Sequence, residues 1–239
     1  MFIGRFFACI LISISAVLLT FSANGFAEDA ATEQLPVRKI LFLGNSITLH
    51  GPLESIGWSG NWGMAASAAE RDYVHLLTTK IQSEWKCRPE TMVRNIADFE
   101  RQYATYDIQQ ELKEALSFQA DLIVVAIGEN VSALQTEDAI SRYEESVRNL
   151  LMALRKDRTT PPPIYLRSTF WTDPVKDQAM ARACEATGTA YVDLQRLDAD
   201  EKNFARSERV IAHAGVAGHP GDKGMQAIAD RLWNAISKK

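Results

Sequence analysis

Five short apolar runs recur along the chain, and longer stretches with the period of a helix lie between them. This alternation restricts the chain to a few architectures. The runs are Lys39 to Leu43, Thr91 to Ile96, Leu122 to Ile127, Ile164 to Arg167 and Ala190 to Leu194. Each is short and apolar at consecutive positions, as in a strand buried on both faces. Between them, Gln135 to Arg155 places Ile140, Tyr143, Val147, Leu150, Leu151 and Leu154 at spacings of three and four, which makes one apolar helical stripe. Pro161-Pro162-Pro163 stops that helix before the fourth run, because proline cannot continue it. Asp222 to Ile236 starts just after Pro220-Gly221 and reads as a closing helix, with Met225, Ile228, Ala229, Leu232 and Ile236 inward. Strands interleaved with helices predict an α/β three-layer sandwich, in which helices cover both faces of a doubly wound, mostly parallel five-stranded sheet.

Residues 1–27 have a basic start at Arg5, an apolar run from Phe6 to Leu19 and small residues ending at Gly25-Phe26-Ala27, the layout of a secretory signal peptide. An uncleaved membrane anchor is the competing reading, but the run is shorter than the ~20 residues that span a bilayer, and a charged segment follows it at once. Cys9 lies inside the run and not at its end, which argues against lipid attachment. The expectation is therefore a signal peptide at 1–27, a linker at 28–37 and one domain at 38–239, secreted or periplasmic, with no stable membrane insertion after cleavage. The 212 residues left after position 27 suit one core. They carry 25 basic and 30 acidic residues with no basic block, so nucleic acid is not the expected partner. Oligomeric state is not readable from the sequence. Cys87 and Cys184 remain, either as one disulfide or as two buried thiols.

In an open parallel sheet the loops at the carboxyl ends of the strands converge on a crevice, so chemistry is expected there. Gly44-Asn45-Ser46-Ile47-Thr48 follows the first run, Asn95-Ile96-Ala97-Asp98 ends the second, and Gly128-Glu129-Asn130 follows the third. A serine after a glycine is ordinarily a cap or turn residue. What singles out Ser46 is Gly218-His219-Pro220-Gly221, which holds a histidine on a rigid loop just before the last helix. A hydroxyl becomes a nucleophile near neutral pH only beside a base, and imidazole, titrating near ~6.5, suits that task.

On these motifs the sequence resembles the SGNH (GDSL-like) serine hydrolases over nearly all of residues 38–239. The blocks run in that family's order: G-N-S-I-T with Ser46, N-I-A with Ala97, G-E-N with Asn130, and A-G-H-P-G-D-K-G-M with His219. The resemblance implies a flavodoxin-like sandwich and an ester hydrolase with Ser46 as nucleophile and His219 as base, needing no cofactor and no metal. It further implies an oxyanion hole built from the Ser46 N–H, the Ala97 N–H and the Asn130 side-chain amide. Two positions depart from the family pattern. Ala97 stands where a glycine is usual, and Val216 stands three residues before His219, where D-x-x-H would supply the triad acid. The expectation is accordingly a Ser-His dyad whose imidazole is oriented by a backbone carbonyl of Val216 or a close neighbour. Asp193, Asp198, Asp200 and Asp222 are the acids that could replace that carbonyl, although the plainer reading of Asp222, three residues after His219 at the start of the last helix, is a helix cap.

Four further residues are candidates for contact with substrate. Trp58 and Trp62, in the glycine-rich loop after the nucleophile, could stack on sugar rings or could simply plug the junction with the sheet. His50 could line the cleft, and Glu129 could face it, although a solvated loop acid is the plainer reading of Glu129. His213 lies six residues before His219, which is not the spacing of a helical metal pair. No long apolar lid is present, so the expected substrate is a small-molecule or polysaccharide ester with a small acyl group, foremost acetyl on carbohydrate. A lysophospholipase or thioesterase on the same site, and a carbohydrate-binding protein without catalysis, are the alternatives.

Overall fold

Within Pro36–Lys239 the five apolar runs form one sheet, β1 (Lys39–Gly44), β2 (Glu90–Asn95), β3 (Leu122–Ala126), β4 (Ile164–Arg167) and β5 (Ala190–Val192), in a computed structural model of the chain. The structure describes residues 1–2, 37–156 and 158–238. Apart from Met1, Phe2 and Val37, the expected signal peptide and linker lie outside the described residues. Among the described residues no helix is long and apolar enough to cross a membrane.

All four strand pairings are parallel and the order is β2-β1-β3-β4-β5. This is the doubly wound, flavodoxin-like order. The inner strands β1, β3 and β4 are buried along almost their whole length, as continuous apolar runs require, whereas the edge strand β2 is largely exposed. Side chains alternate across the sheet with a period of two. Leu41, Leu43, Ile123, Val125 and Leu166 face one core, and Ile40, Phe42, Leu122, Val124 and Tyr165 face the other.

Eight α-helical segments are described: α1 (Tyr73–Trp85), α2 (Ala97–Arg101), α3 (Ile108–Glu111), α4 (Lys113–Ser117), α5 (Glu137–Ala153), α6 (Pro174–Thr187), α7 (Ala214–Ala217) and α8 (Asp222–Ile236). The expected stripe on α5 is realised by Tyr143, Val147, Leu150 and Leu151, all buried, and Thr136 caps the helix by accepting from the Ala139 N–H at 3.1 Å. Helices α5 and α6 pack on one face of the sheet, α1 and α8 on the other. Burying a Leu, Val or Ile side chain contributes about 1.5–3 kcal/mol, so these two cores are the main stabilising term. The two cysteines among the described residues are free: Cys184 is buried, which raises its thiol to about 12, and Cys87 is half-buried.

Candidate active site

The order β2-β1-β3 places the topological switch point between β1 and β3, and the loops leaving these two strands carry Ser46 and Gly128-Glu129-Asn130. The turn after β1 needs its glycine for space. A Cβ on Gly44 would lie 1.9 Å from Thr48 Oγ1 and 2.9 Å from the Ala126 carbonyl oxygen. Asn45 then closes the turn: its Oδ1 accepts from the Ile47 N–H at 3.1 Å, and its carbonyl accepts from Thr48 and Leu49, both at 2.9 Å. Between these anchored residues Ser46 is half-buried. Its N–H donates to no group among the described residues.

The histidine reaches the serine from the far end of the chain. Its loop is pinned from outside, because the His219 carbonyl accepts from Ala205 N–H and Gly221 N–H donates to the Asn203 carbonyl, each at 2.9 Å. The result is Ser46 Oγ 2.8 Å from His219 Nε2. The other ring nitrogen, Nδ1, lies 2.7 Å from the Gly215 carbonyl oxygen. A carbonyl can only accept, so Nδ1 carries the hydrogen and Nε2 presents its lone pair to the serine hydroxyl. Burial is the main influence on the ring and lowers its pKa. The Gly215 bond and the Glu129 charge work against that, and His50 and His213 add to the lowering. Trp171 packs edge-on against the imidazole, with centroids 5.1 Å apart, and donates its indole N–H to the Gly218 carbonyl at 3.1 Å.

The carbonyl on Nδ1 is therefore that of Gly215, a close neighbour of Val216 as the expectation allowed, and not that of Val216 itself. The reason is local. In α7 the Val216 carbonyl accepts from the His219 backbone N–H at 3.0 Å and the Ala214 carbonyl from Gly218 at 2.9 Å, which leaves the Gly215 oxygen open to the imidazole. His213 caps the same short helix, its Nδ1 accepting from the Val216 N–H at 3.3 Å. Each of the four alternative acids is engaged elsewhere: Asp193 with Gln195 N–H, Asp198 with Thr172, Asp200 with Lys202 N–H and Asp222 with Ser67. Asp222 does not cap α8, whose first N–H groups meet the Glu208 carboxylate at 2.8 Å.

Of the expected oxyanion donors, Ala97 is not available. Its N–H donates to Asn95 Oδ1 at 2.9 Å inside its own turn. Asn130 is half-buried, and its Nδ2 donates to Glu100 Oε2 at 2.7 Å, which leaves one amide hydrogen uncommitted. Glu129 does not face substrate. Its side chain is 2% exposed and accepts from Arg167 Nη1 at 2.6 Å, Phe170 N–H at 2.9 Å and Asn45 Nδ2 at 2.6 Å. Burial alone would raise the Glu129 carboxyl, but the Arg167 charge leads the interactions that bring it below the ordinary carboxylate value.

Trp58 is 8% exposed and belongs to a small apolar cluster with Met64, Ala65, Ala205 and Val216, so the plug reading holds for it and the sugar-stacking reading does not. Its indole N–H donates to the His50 carbonyl at 3.0 Å, and Trp62, half-buried and edge-on to it at 5.6 Å, donates to the Ala66 carbonyl at 3.0 Å. His50, also half-buried, pairs with Trp62 across an antiparallel bridge. Sequence reasoning missed Trp171, Gly215, Glu100 and Arg167. Only the position of Arg167 and Trp171 at and beyond the end of the fourth strand could have drawn attention to the latter pair.

Comparison with solved structures finds the same fold in other proteins. A two-domain esterase (CEX) active on acetylated mannans is 19% identical, with a TM-score of 0.55 over 84% of this chain and 48% of that one. A candidate GDSL-like lipase from Bacteroides ovatus is 15% identical, with a TM-score of 0.55 over 85% of this chain and 99% of that one. The chain has the SGNH, or GDSL-like, hydrolase fold. The salicylyl-acyltransferase SsfX3 from a tetracycline biosynthetic pathway shares this fold at 14% identity, with a TM-score of 0.56 over 84% of this chain and 55% of that one. This chain spans about half the length of the mannan esterase and of the acyltransferase. No family model matches the sequence, and no curated protein matches it either. At such identities the likeness is one of fold.

Proposed function

We propose that this chain is a secreted serine ester hydrolase that removes a small acyl group, foremost acetyl, from a carbohydrate ester. The observation that carries the reading is Ser46 Oγ lying 2.8 Å from His219 Nε2, with the opposite ring nitrogen on the Gly215 carbonyl. In the proposed reaction His219 Nε2 takes the Ser46 proton as Oγ attacks the ester carbonyl carbon. The negative charge that develops on the carbonyl oxygen meets the Ser46 N–H and the remaining Asn130 amide hydrogen. His219 then protonates the departing alcohol, and water, activated by the same nitrogen, releases the acid from Ser46.

The carbohydrate preference is supported by the occurrence of the fold in an esterase active on acetylated mannans. It is also supported by Trp171, which sets an aromatic ring edge-on against His219, the residue that would protonate the departing alcohol. Export rests on the sequence of residues 1–27. The test combines three measurements: labelling by a fluorophosphonate probe, acetate release from a panel of acetylated glycans, and loss of both in Ser46→Ala. A protein that binds the glycans yet resists the probe and releases no acetate would be a carbohydrate-binding module. Activity confined to lysophospholipids or thioesters would move the substrate class.

A further inference from the structure

The segment Asp98-Phe99-Glu100-Arg101 looks in sequence like a short charged surface turn, but one of its charges is not on the surface. Asp98 and Arg101 are exposed and paired with each other at 3.0 Å, whereas Glu100 is 0% exposed. Helix α2 carries it under the loops of two other strands. Its Oε2 accepts from Asn130 Nδ2 at 2.7 Å, and its Oε1 accepts from the N–H of Gly128 at 2.5 Å, the N–H of Asn130 at 3.3 Å and Asn45 Nδ2 at 3.1 Å. Asn45 is the residue before the nucleophile and closes the nucleophile turn through Ile47 N–H.

Resting on the esterase reading above, we propose that Glu100 is a positioning residue for the oxyanion site: its carboxylate fixes the Asn130 amide and ties it to the turn that carries Ser46.

Three features support this. The two hydrogens of a primary amide diverge by about 120° in one plane, so a bond from one of them to a fully buried carboxylate directs the other away from the core. Every neighbour named above approaches Glu100 as an N–H donor, and such an environment is complementary to a carboxylate oxygen and not to an acid O–H. Burial, followed by the Glu129 charge, nevertheless pushes the Glu100 carboxyl above its ordinary value. The third feature is that Ala97 N–H is committed to Asn95, so stabilisation of the oxyanion depends on fewer donors and the aim of Asn130 matters more. Gly128 allows the close approach. Its φ is 120°, and a Cβ there would meet Thr169 Cγ2 at 2.6 Å.

The test is a double-mutant cycle on turnover of 4-nitrophenyl acetate, using Glu100→Gln, Asn130→Ala and the double variant, with thermal unfolding followed alongside. Glu100→Gln keeps the volume but replaces one acceptor oxygen with a donor facing donors. It should lower kcat by at least ~10-fold, up to the ~10²–10³ expected when an oxyanion donor is lost outright, with little change in KM. In the Asn130→Ala background the same substitution should lower kcat less than about twofold, because the two act as one unit. Additive effects, or an unchanged kcat in a folded variant, would overturn the proposal. If Glu100→Gln does not fold, Glu100→Asp, which keeps the charge but withdraws the oxygens, takes its place in the cycle. Independently of any variant, the two Asn130 side-chain amide protons of the unsubstituted protein should exchange with solvent at rates differing by more than about tenfold, and equal rates overturn the proposal. If the unsubstituted protein neither turns over the ester nor reacts with a fluorophosphonate, the esterase reading fails first. The amide-exchange measurement still reports on Glu100 in that case.

Discussion

His219 Nδ1 lies 2.7 Å from the carbonyl oxygen of Gly215, the place where a complete triad would present a carboxylate. A carbonyl dipole can fix the tautomer and the ring plane, but it stabilises the imidazolium less than a full negative charge does. The carbonyl is open because α7 ends in a pattern that passes over it. The orientation of the imidazole is therefore a property of the α7 backbone and of no acid side chain.

From this follows a prediction about the four aspartates. Alanine at Asp193, Asp198, Asp200 or Asp222 should each leave most of the ester turnover, since each carboxylate serves a local turn or tether, whereas His219→Ala should remove turnover. The measurement is kcat/KM for a small acyl ester in variants shown to be folded. A thousandfold loss at any one of the four would mean that a carboxylate joins the base.

The pH dependence has a definite sign. Burial holds His219 below its ordinary value of 6.5, so the neutral base persists to lower pH than a free imidazole would allow. The acid limb of kcat/KM should therefore inflect below 6.5. The unfolded chain protonates this residue first, so the stability linked to it is present above pH 6.5 and is lost as pH falls toward the folded-state value. An inflection above about 7 would be incompatible with burial as the dominant influence on the ring.

Trp58 gives a contrast between stability and binding. Its indole lies in the apolar cluster that also holds Val216 of α7. Trp58→Ala should cost about 3–5 kcal/mol of unfolding free energy through the cavity it leaves, with the KM for an acetylated glycan hardly changed in the folded fraction. Urea unfolding and steady-state kinetics on the same preparation separate the two effects. A large rise in KM with unaltered stability would return Trp58 to the substrate site.

The legible part of this site was the part fixed by chain order. Strand ends in a parallel sheet must share one edge, so Ser46 after β1 and Asn130 after β3 follow from the apolar runs, and the last helix start supplies His219. What could not be read was direction. Trp58 and Trp62 lie four residues apart in one loop, and only tertiary packing decides that Trp58 turns inward. In Asp98-Phe99-Glu100-Arg101 nothing in the local pattern distinguishes the one buried charge from the two exposed ones. The shift from Val216 to Gly215 reflects which carbonyl the last turn of a four-residue helix leaves unbonded, a detail finer than any periodicity.

Beneath the site, Arg167 and Glu129 form an ion pair at 2.6 Å with side chains 0% and 2% exposed, and this pair carries the last prediction. Burial opposes the charge on Arg167, yet Glu129 brings the guanidinium above its ordinary value, so both partners stay ionised. Two of the guanidinium nitrogens, Nε and Nη2, have no hydrogen-bond partner among the described residues. The pair is thus necessary without being well satisfied. Removing one partner strands a buried charge, so Glu129→Gln should lower the unfolding free energy by about 3–5 kcal/mol, far more than a surface pair would. Removing both charges behaves differently, because an apolar side chain at 167 has no stranded charge to accommodate. Glu129→Gln combined with Arg167→Met should recover much of the loss. Glu129 also accepts from the Phe170 N–H, next to the Trp171 that packs on His219. The stabilised double variant should accordingly keep its fold while losing part of its turnover. Urea unfolding of the two variants beside the unsubstituted protein decides the matter. A Glu129→Gln variant within about 1 kcal/mol of the unsubstituted protein would show that the guanidinium does not depend on this carboxylate.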